Sequence, residues 1–384
     1  MKPGRVLLLS YEFAPFRGGI ARVAEALAAG GAGLGHDVHV LAPDYHADQS
    51  ATDRSLPFTV HRFTGDFCSL LSLDKLTGFA RLCRRTVARL EPELVHATDP
   101  QSHMALTLLA RLRAARPFSV TVHGTELLRY RRETVPRLWM RGAFRRPRAI
   151  FPVSMAVRER LLDTFEADPA RVRVAYPAVA PLWFDAPRAD RLAVRRALGL
   201  PADAFVLLTV ARRVPEKGHA RVIDGIGGLP ENLRSRIVYV VAGTGPDAYV
   251  RQLDEAAASC GARMVLTGET GEADTVALVD AADVFIMTSR ETPARLEGFG
   301  IALVEAAARG LAAIATDTGG VREAVLHNET GYLIPEHSEP ETLIHTIRLL
   351  LEEPDRLLRM GDLARRHARR FTRERLARDV LTNP

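Results

Sequence analysis

Short runs of consecutive apolar residues alternate along this chain with longer stretches in which apolar residues recur every three or four positions. The first pattern reads as buried parallel strands and the second as amphipathic helices. Arg5 to Ser10 is a short strand, Ile20, Val23, Ala24, Leu27 and Ala28 recur at helical spacing, and Asp37 to Leu41 is a second strand, so the chain opens β-α-β. Phe79, Leu82, Cys83, Val87 and Leu90 form the next helical stripe, opposite Arg81, Arg84, Arg85 and Arg89, and strands follow at Leu94 to Thr98 and Val120 to Val122. Asp44 to Pro57 is polar and irregular and reads as a loop, and Tyr176 to Pro187, rich in proline and alanine, reads as a linker. Beyond it the alternation resumes, with strands at Phe205 to Ala211, Ile237 to Ala242, Met264 to Thr267 and Val284 to Met287. A helix over Ile301 to Arg309 ends at Gly310, which can take the left-handed cap conformation. An arginine-rich helix is expected over Arg365 to Val380. Strands alternating with helices in both halves predict an α/β chain of two doubly wound, Rossmann-like domains, residues 1–180 and 181–364, with a terminal segment 365–384.

Composition narrows the class. A chain of 384 residues, 47% of them hydrophobic, can bury two ordinary cores. Cys68, Cys83 and Cys260 are far apart and form no C-x-x-C pair, so neither a disulfide framework nor a zinc site is suggested. The apolar run Val6 to Leu9 is shorter than a signal-peptide core, and no stretch approaches the roughly 18 apolar residues of a membrane span, so a cytoplasmic protein is expected. The net charge of +6 permits attraction to nucleotides, anionic lipid or nucleic acid and selects none of them. The arginine faces of the N-terminal half are read as solvated; peripheral contact with an acidic acceptor or an anionic membrane is the alternative. From Arg129 to Arg148 arginines interleave with Leu138, Trp139, Met140 and Phe144, yet no nucleic-acid module accompanies them, so no nucleic-acid partner is expected. Lysine occurs only as Lys2, Lys75 and Lys217, which makes each lysine informative.

The candidate chemistry lies in loops that follow strands, where open parallel sheets bind ligands. Gly18 and Gly19 stand at the first helix start, where backbone N–H groups can meet a phosphate or sugar; a tight turn explains them equally well. His96 and Asp99 close one strand, and His123-Gly124-Thr125-Glu126 follows the next. Arg212 and Lys217 bracket the loop after Phe205 to Ala211, and together can neutralise a diphosphate, arginine through its planar fork and lysine as a point charge. Gly243 and Gly245 form a further glycine loop, and Gly268 ends the strand after it. Glu297-Gly298-Phe299-Gly300-Ile301 leads into a helix carrying Glu305, so two carboxylates flank a helix start suited to an anion.

Glu297 and Glu305, separated by seven residues with Gly-Phe-Gly between, resemble the E-x7-E element of the retaining GT-B glycosyltransferases of family 4. The first-loop Gly18-Gly19, His123-Gly-Thr-Glu126 and the Arg212-x4-Lys217-Gly218 clamp resemble that family in the same order, and the resemblance covers nearly the whole chain. It implies two domains facing a cleft, an N-terminal domain for the acceptor and a C-terminal domain for a nucleotide diphosphate sugar, UDP- or GDP-linked. It also implies a terminal helix crossing back to the N-domain and transfer with retention, using no metal and no resident cofactor. His123, Arg212, Lys217 and Glu297 would be catalytic. Gly18, Gly19, Gly243, Gly245, Gly268, Gly298, Phe299, Gly300, Ile301 and Glu305 would bind substrate, and His96, Asp99 and Glu126 are acceptor-side candidates. The acceptor would be a lipid, a glycan or a small natural product. Departures are Pro177-Ala178-Val179-Ala180 in the linker, Arg213 in an apolar position, Ala312 for a usual proline, and a loop Arg290 to Leu296 longer than usual. Alternatives are a GT-B epimerase or phosphorylase, or a non-catalytic nucleotide-sugar-binding subunit.

Overall fold

A computed structural model describes residues 3–16, 18–45, 49–65, 73–113, 116–132 and 142–382. Cys68, Lys2 and the Leu138, Trp139 and Met140 part of the arginine–aromatic segment lie outside them. The chain forms two compact units, Met1–Ala178 with Phe371–Pro384, and Val179–Arg370.

The first unit is built on a parallel sheet of β1 (Arg5–Leu9), β2 (Asp37–Pro43), β3 (Thr59–Phe63), β4 (Leu94–Ala97), β5 (Phe118–Val122) and β6 (Ala149–Pro152), in the order β3-β2-β1-β4-β5-β6. Its register sets Arg5 opposite Asp37 and Leu9 opposite Ala97. The central strands are apolar on both faces, with Leu7, Leu8, Val40 and Val120 fully buried, as expected where helices cover both sides. Those helices include α1 (Gly19–Gly33), α2 (Leu73–Leu90), α3 (Pro100–Arg111), α4 (Thr125–Arg132) and α5 (Met155–Thr164). On α2, Phe79 and Cys83 are buried while Arg81, Arg84, Arg85 and Arg89 are exposed, so the sequence stripe is the packed face. Two local readings change. Within Asp44 to Pro57, Ser50–Arg54 is helical. Strand β3, which the apolar runs did not signal, is a half-exposed edge strand.

The second unit repeats the architecture with β7 (Phe205–Val210), β8 (Ile237–Ala242), β9 (Arg263–Gly268), β10 (Val284–Met287), β11 (Ala312–Asp317) and β12 (Gly331–Pro335), parallel and ordered β12-β11-β10-β7-β8-β9. Counted within its unit this is the same order as in the first sheet, so each sheet reverses direction between two central strands: β1 and β4, β7 and β10. The helices used below are α6 (Arg191–Ala197), α7 (His219–Gly227), α8 (Asp247–Cys260), α9 (Glu272–Ala281), α10 (Ile301–Ala308), α11 (Pro340–Glu352) and α12 (Pro354–Ala368). Leu207, Ile223, Ile237, Tyr239, Ile286, Ile314, Leu343 and Ile347 form its core. Arg309, just past α10, is 4% exposed and donates to both carboxylate oxygens of the buried Asp280 and to the Ala186 carbonyl, which ties the chain after Val179 to this unit.

The helix expected over Arg365 to Val380 is interrupted. Helix α12 ends at Ala368, and Thr372 caps a new helix, Arg373–Ala377, by accepting the Arg375 N–H. The division between the units falls at this break.

Candidate active site

In the second unit the site residues gather at the carboxyl ends of β7 and β10, the strands between which the sheet reverses. The loop after β7 carries Arg212 to Gly218, and the loop after β10 carries Thr288 to Gly300. They are locked together at Gly218, whose φ is +75° and whose Cβ, if present, would sit 2.0 Å from the Thr288 carbonyl oxygen. Any side chain there would push the loops apart. The Thr288 hydroxyl donates to the Gly218 carbonyl at 2.7 Å, and the Arg290 N–H to the Glu216 carbonyl at 2.8 Å.

That contact brings Lys217 to Glu297. The Lys217 ammonium donates to the Glu297 carboxylate at 2.6 Å, and the Ser289 hydroxyl reaches the same oxygen at 3.2 Å. Both side chains keep some exposure, 22% and 16%, so the pair borders solvent and a ligand can reach it. The Glu297 carbonyl accepts the Gly320 N–H at 3.0 Å, which fixes its backbone from the other side.

Immediately after Glu297 the chain passes Gly298, the buried Phe299 and Gly300 into α10. Gly300 is the N-cap in the left-handed conformation, φ +87°, and no side chain caps the helix, so the first N–H groups of Ile301 and its neighbours stay open to an anion. Glu305, one turn inside, is only 3% exposed on a helix otherwise made of Ile, Leu, Val and Ala. A carboxylate at such a position is costly to bury unless it binds something.

Arg212 is exposed at the same strand end, and its carbonyl is fixed by a buried network. His219 Nε2 donates to the Arg212 carbonyl at 3.0 Å, His219 Nδ1 lies 3.0 Å from the Tyr239 hydroxyl, and Thr209 lies 2.9 Å from that hydroxyl. Burial lowers the pKa of His219, which keeps the ring neutral and its two nitrogens in these separate roles. Gly243 and Gly245 lie against the carbonyls of Ala211 and Arg213, and the Gly243 N–H donates to Gly268, so these glycines set the shape of the Arg212 loop as well as flanking it. Space around the Gly268 α-carbon is open.

In the first unit the equivalent edge holds His123, Asp99, Glu126 and the first loop. His123 Nε2 lies 2.8 Å from the Thr98 carbonyl, which can only accept, so Nε2 carries a proton and Nδ1 is the nitrogen left to face a ligand. Glu126 accepts the His123 N–H at 2.6 Å, so it fixes the histidine backbone. Gly18 caps α1 in extended conformation, with Gly19 exposed beside it. Asp99 takes a structural place: its carboxylate accepts from Ser102 N–H at 2.9 Å as the N-cap of α3, and from the Tyr11 N–H at 2.6 Å. His96, read as an acceptor-side candidate, is fully buried between the strands, with Nδ1 at 2.8 Å from the Ser119 hydroxyl and Nε2 at 2.8 Å from that of Thr121. Both nitrogens are used, and burial pushes its pKa down to about 3, so it is a neutral cross-strand bridge with nothing left for a ligand.

The sequence reading passed over Glu12. It lies in the first loop, partly buried, with its carboxyl 3.7 Å from where a Cβ on Gly18 would be. Burial, with the carboxylates of Asp99 and Glu126 nearby, raises its pKa to about 7. Tyr45 holds this loop by donating to the Tyr11 carbonyl at 2.7 Å and accepting the Phe13 N–H at 3.2 Å.

Comparison with known proteins assigns this architecture. Residues 190–367 match the family described as Glycosyl transferases group 1, and residues 17–181 match Glycosyltransferase Family 4. The chain is similar to D-inositol 3-phosphate glycosyltransferases of Kineococcus radiotolerans (34% identical over 228 residues, 56% of this chain and 52% of the relative) and Thermobispora bispora (36% over 223, 55% and 49%). It therefore spans about half the length of the relatives it matches. Among solved structures it resembles a glycosyltransferase from Rickettsia africae ESF-5, with TM-score 0.81 and 17% identity over 100% of both chains. It also resembles Anabaena Alr3699/HepE in complex with UDP-glucose, with TM-score 0.79 and 21% identity over 99% of this chain and 98% of that one. With the two family matches on either side of the linker and the fold shared across the full length, the chain belongs to the group 1 glycosyltransferases and has the two-domain, Rossmann-like GT-B fold.

Proposed function

We propose that this protein transfers a sugar from a nucleotide diphosphate sugar to an acceptor hydroxyl, with retention of the anomeric configuration and without a metal ion. The observation that carries the reading is the Lys217–Glu297 pair at 2.6 Å beside the uncapped start of α10. A cation and open backbone N–H groups converge there, at the end of an open parallel sheet, where charge on a leaving diphosphate would be stabilised. Similarity to a protein solved in complex with UDP-glucose and to D-inositol 3-phosphate glycosyltransferases supports the same class.

In this reading Arg212, Lys217 and the N–H groups at Gly300 and Ile301 hold the diphosphate, Glu305 accepts hydroxyl hydrogens of the ribose, and Glu297 holds the donor sugar. Gly243, Gly245 and Gly268 border the nucleoside. His123 offers Nδ1 to the sugar. The acceptor oxygen bonds to the anomeric carbon on the face that the phosphate oxygen leaves. The acceptor's proton passes to that departing oxygen, so no strong protein base is needed. A panel of UDP-, GDP-, ADP- and TDP-sugars in thermal shift identifies the donor, because a bound ligand raises stability by mass action. Release of nucleotide only when acceptor is present, with proton NMR showing an α-linked product from an α-linked donor, is the expected result. A β-linked product refutes retention, and no thermal shift with any donor refutes the reading.

A further inference from the structure

Two ion pairs of opposite sense join the loops of the second unit. Lys217 binds Glu297, and its neighbour Glu216 binds Arg295, at 3.0 Å. Glu216 therefore holds the far loop twice, through its carboxylate to Arg295 and through its carbonyl to the Arg290 N–H at 2.8 Å. The far loop is itself shaped: the Thr292 N–H donates to the Arg295 carbonyl at 2.9 Å, the Arg295 N–H to the Thr292 carbonyl at 3.2 Å, and the Glu291 N–H to the Glu336 carboxylate at 2.7 Å. Residues 290–296 are thus a folded strap that ends at Glu297.

A diphosphate arriving at Lys217 competes with Glu297 for the ammonium and weakens the pair that joins the loops at that point. The Glu216–Arg295 pair joins the same two loops without using the Lys217 ammonium, so it does not depend on Lys217 staying on Glu297. We infer that the Glu216–Arg295 pair is a positioning element for the donor, keeping the strap docked on the Lys217 loop so that Glu297 and the α10 start stay in place when the diphosphate takes Lys217. This rests on the donor site proposed above. Neither residue touches the donor in this account; they act through Lys217 and Glu297.

The test is calorimetric titration of UDP, GDP, ADP and TDP into the wild type, Glu216→Gln, Arg295→Gln, the double variant, Arg295→Lys and Lys217→Ala, with thermal melting of each. Either glutamine variant should weaken the best-bound nucleotide about fivefold, the scale of one partly exposed charge pair. The double variant should be no weaker than the singles, because they remove the same interaction. Arg295→Lys should stay within about twofold of wild type, and melting temperatures should barely change, which separates positioning from plain loss of structure. Unchanged affinity in the glutamine variants, or additive losses in the double variant, overturns the inference while leaving the donor site standing. Failure of the wild type to bind UDP, GDP, ADP and TDP alike, or equal binding by Lys217→Ala, overturns the donor site itself and the positioning role with it.

Discussion

Replacing Glu12 by Gln should stabilise the first unit above neutral pH and leave it nearly unchanged in acid. Burial, with the neighbouring Asp99 and Glu126 also opposing its charge, pushes the Glu12 carboxyl up to about 7 from its ordinary value of 4.5. Between those two values the folded state binds a proton that the unfolded chain has already released. The associated stability is present in full below pH 4.5 and is lost as pH rises through 7. At about 1.4 kcal/mol per pKa unit, the penalty carried by the folded state above pH 8 is about 3 kcal/mol as an upper bound. Glutamine has nearly the same shape and no charge to oppose, so the advantage of Glu12→Gln should grow by about 2 to 3 kcal/mol between pH 5 and pH 8. Hydrogen exchange of β1 amides across a urea series reads the unfolding of this unit specifically. Comparing the two proteins at the same pH cancels the intrinsic pH dependence of exchange. A difference that is flat with pH, or a variant that loses stability at pH 8, refutes the assignment of a destabilised carboxylate to Glu12.

Four further outcomes follow from the site. Lys217→Ala should lower turnover by about two to three orders of magnitude, the scale for losing a preorganised charge on a leaving group, and wild-type turnover should survive EDTA; loss on chelation that a divalent metal restores contradicts the metal-free reading. His123→Ala should depress kcat with little change in nucleotide affinity, and an equal loss in both would move His123 from the sugar to the nucleotide. Glu305→Gln should raise donor KM more than it lowers kcat, since its carboxylate serves binding; the reverse pattern in steady-state kinetics would make Glu305 part of the chemistry. Arg309→Ala should destabilise the second unit by about 1 to 3 kcal/mol, because the Asp280 carboxylate loses its bidentate partner while Arg188 and the Ala189 N–H still hold it, and urea unfolding of that unit measures it.

What was legible in the sequence was local. Apolar runs located the central strands because those strands are buried on both faces, and Gly300 and Gly310 marked the ends of α10 because left-handed backbone is needed there. Strand β3 escaped because an edge strand keeps half its surface wet and has no apolar run to show. The break after Ala368 escaped because arginines occupy both sides of it and Thr372 is the lone capping signal. The placement of candidate site residues was legible where a motif is contiguous, as from Glu297 to Glu305, and illegible where a residue's surroundings are set across the sheet. His96 reads like a ligand-facing histidine at a strand end, yet its neighbours Ser119 and Thr121, 23 and 25 residues away, use both of its nitrogens. Glu12 is one more loop carboxylate in the sequence, and only folding brings Asp99 and Glu126 close enough to raise its pKa. The Glu216–Arg295 pair likewise joins two loops that the strand order, and nothing in either local sequence, places side by side.

The two sheets have one strand order, so each offers a ligand edge where its direction reverses, and the charges at those edges differ. At β7 and β10 there are Arg212, Lys217 and the uncapped start of α10, all suited to phosphate. At β1 and β4 there are Glu12, Asp99 and Glu126, with the His123 ring held by the Thr98 carbonyl. A diphosphate placed at the second edge would meet Arg212 and Lys217, and of the carboxylates there Glu297 is already engaged by Lys217 at 2.6 Å and Glu216 by Arg295 at 3.0 Å. At the first edge it would meet carboxylates, one of them already driven to hold its proton near neutrality by the other two. If the proposed function holds, this difference in charge can separate donor from acceptor. On the proposed reading the donor's diphosphate would fall to the second unit, while the first unit would suit uncharged hydroxyl groups, which a carboxyl such as Glu12 can bind as donor or acceptor according to its protonation.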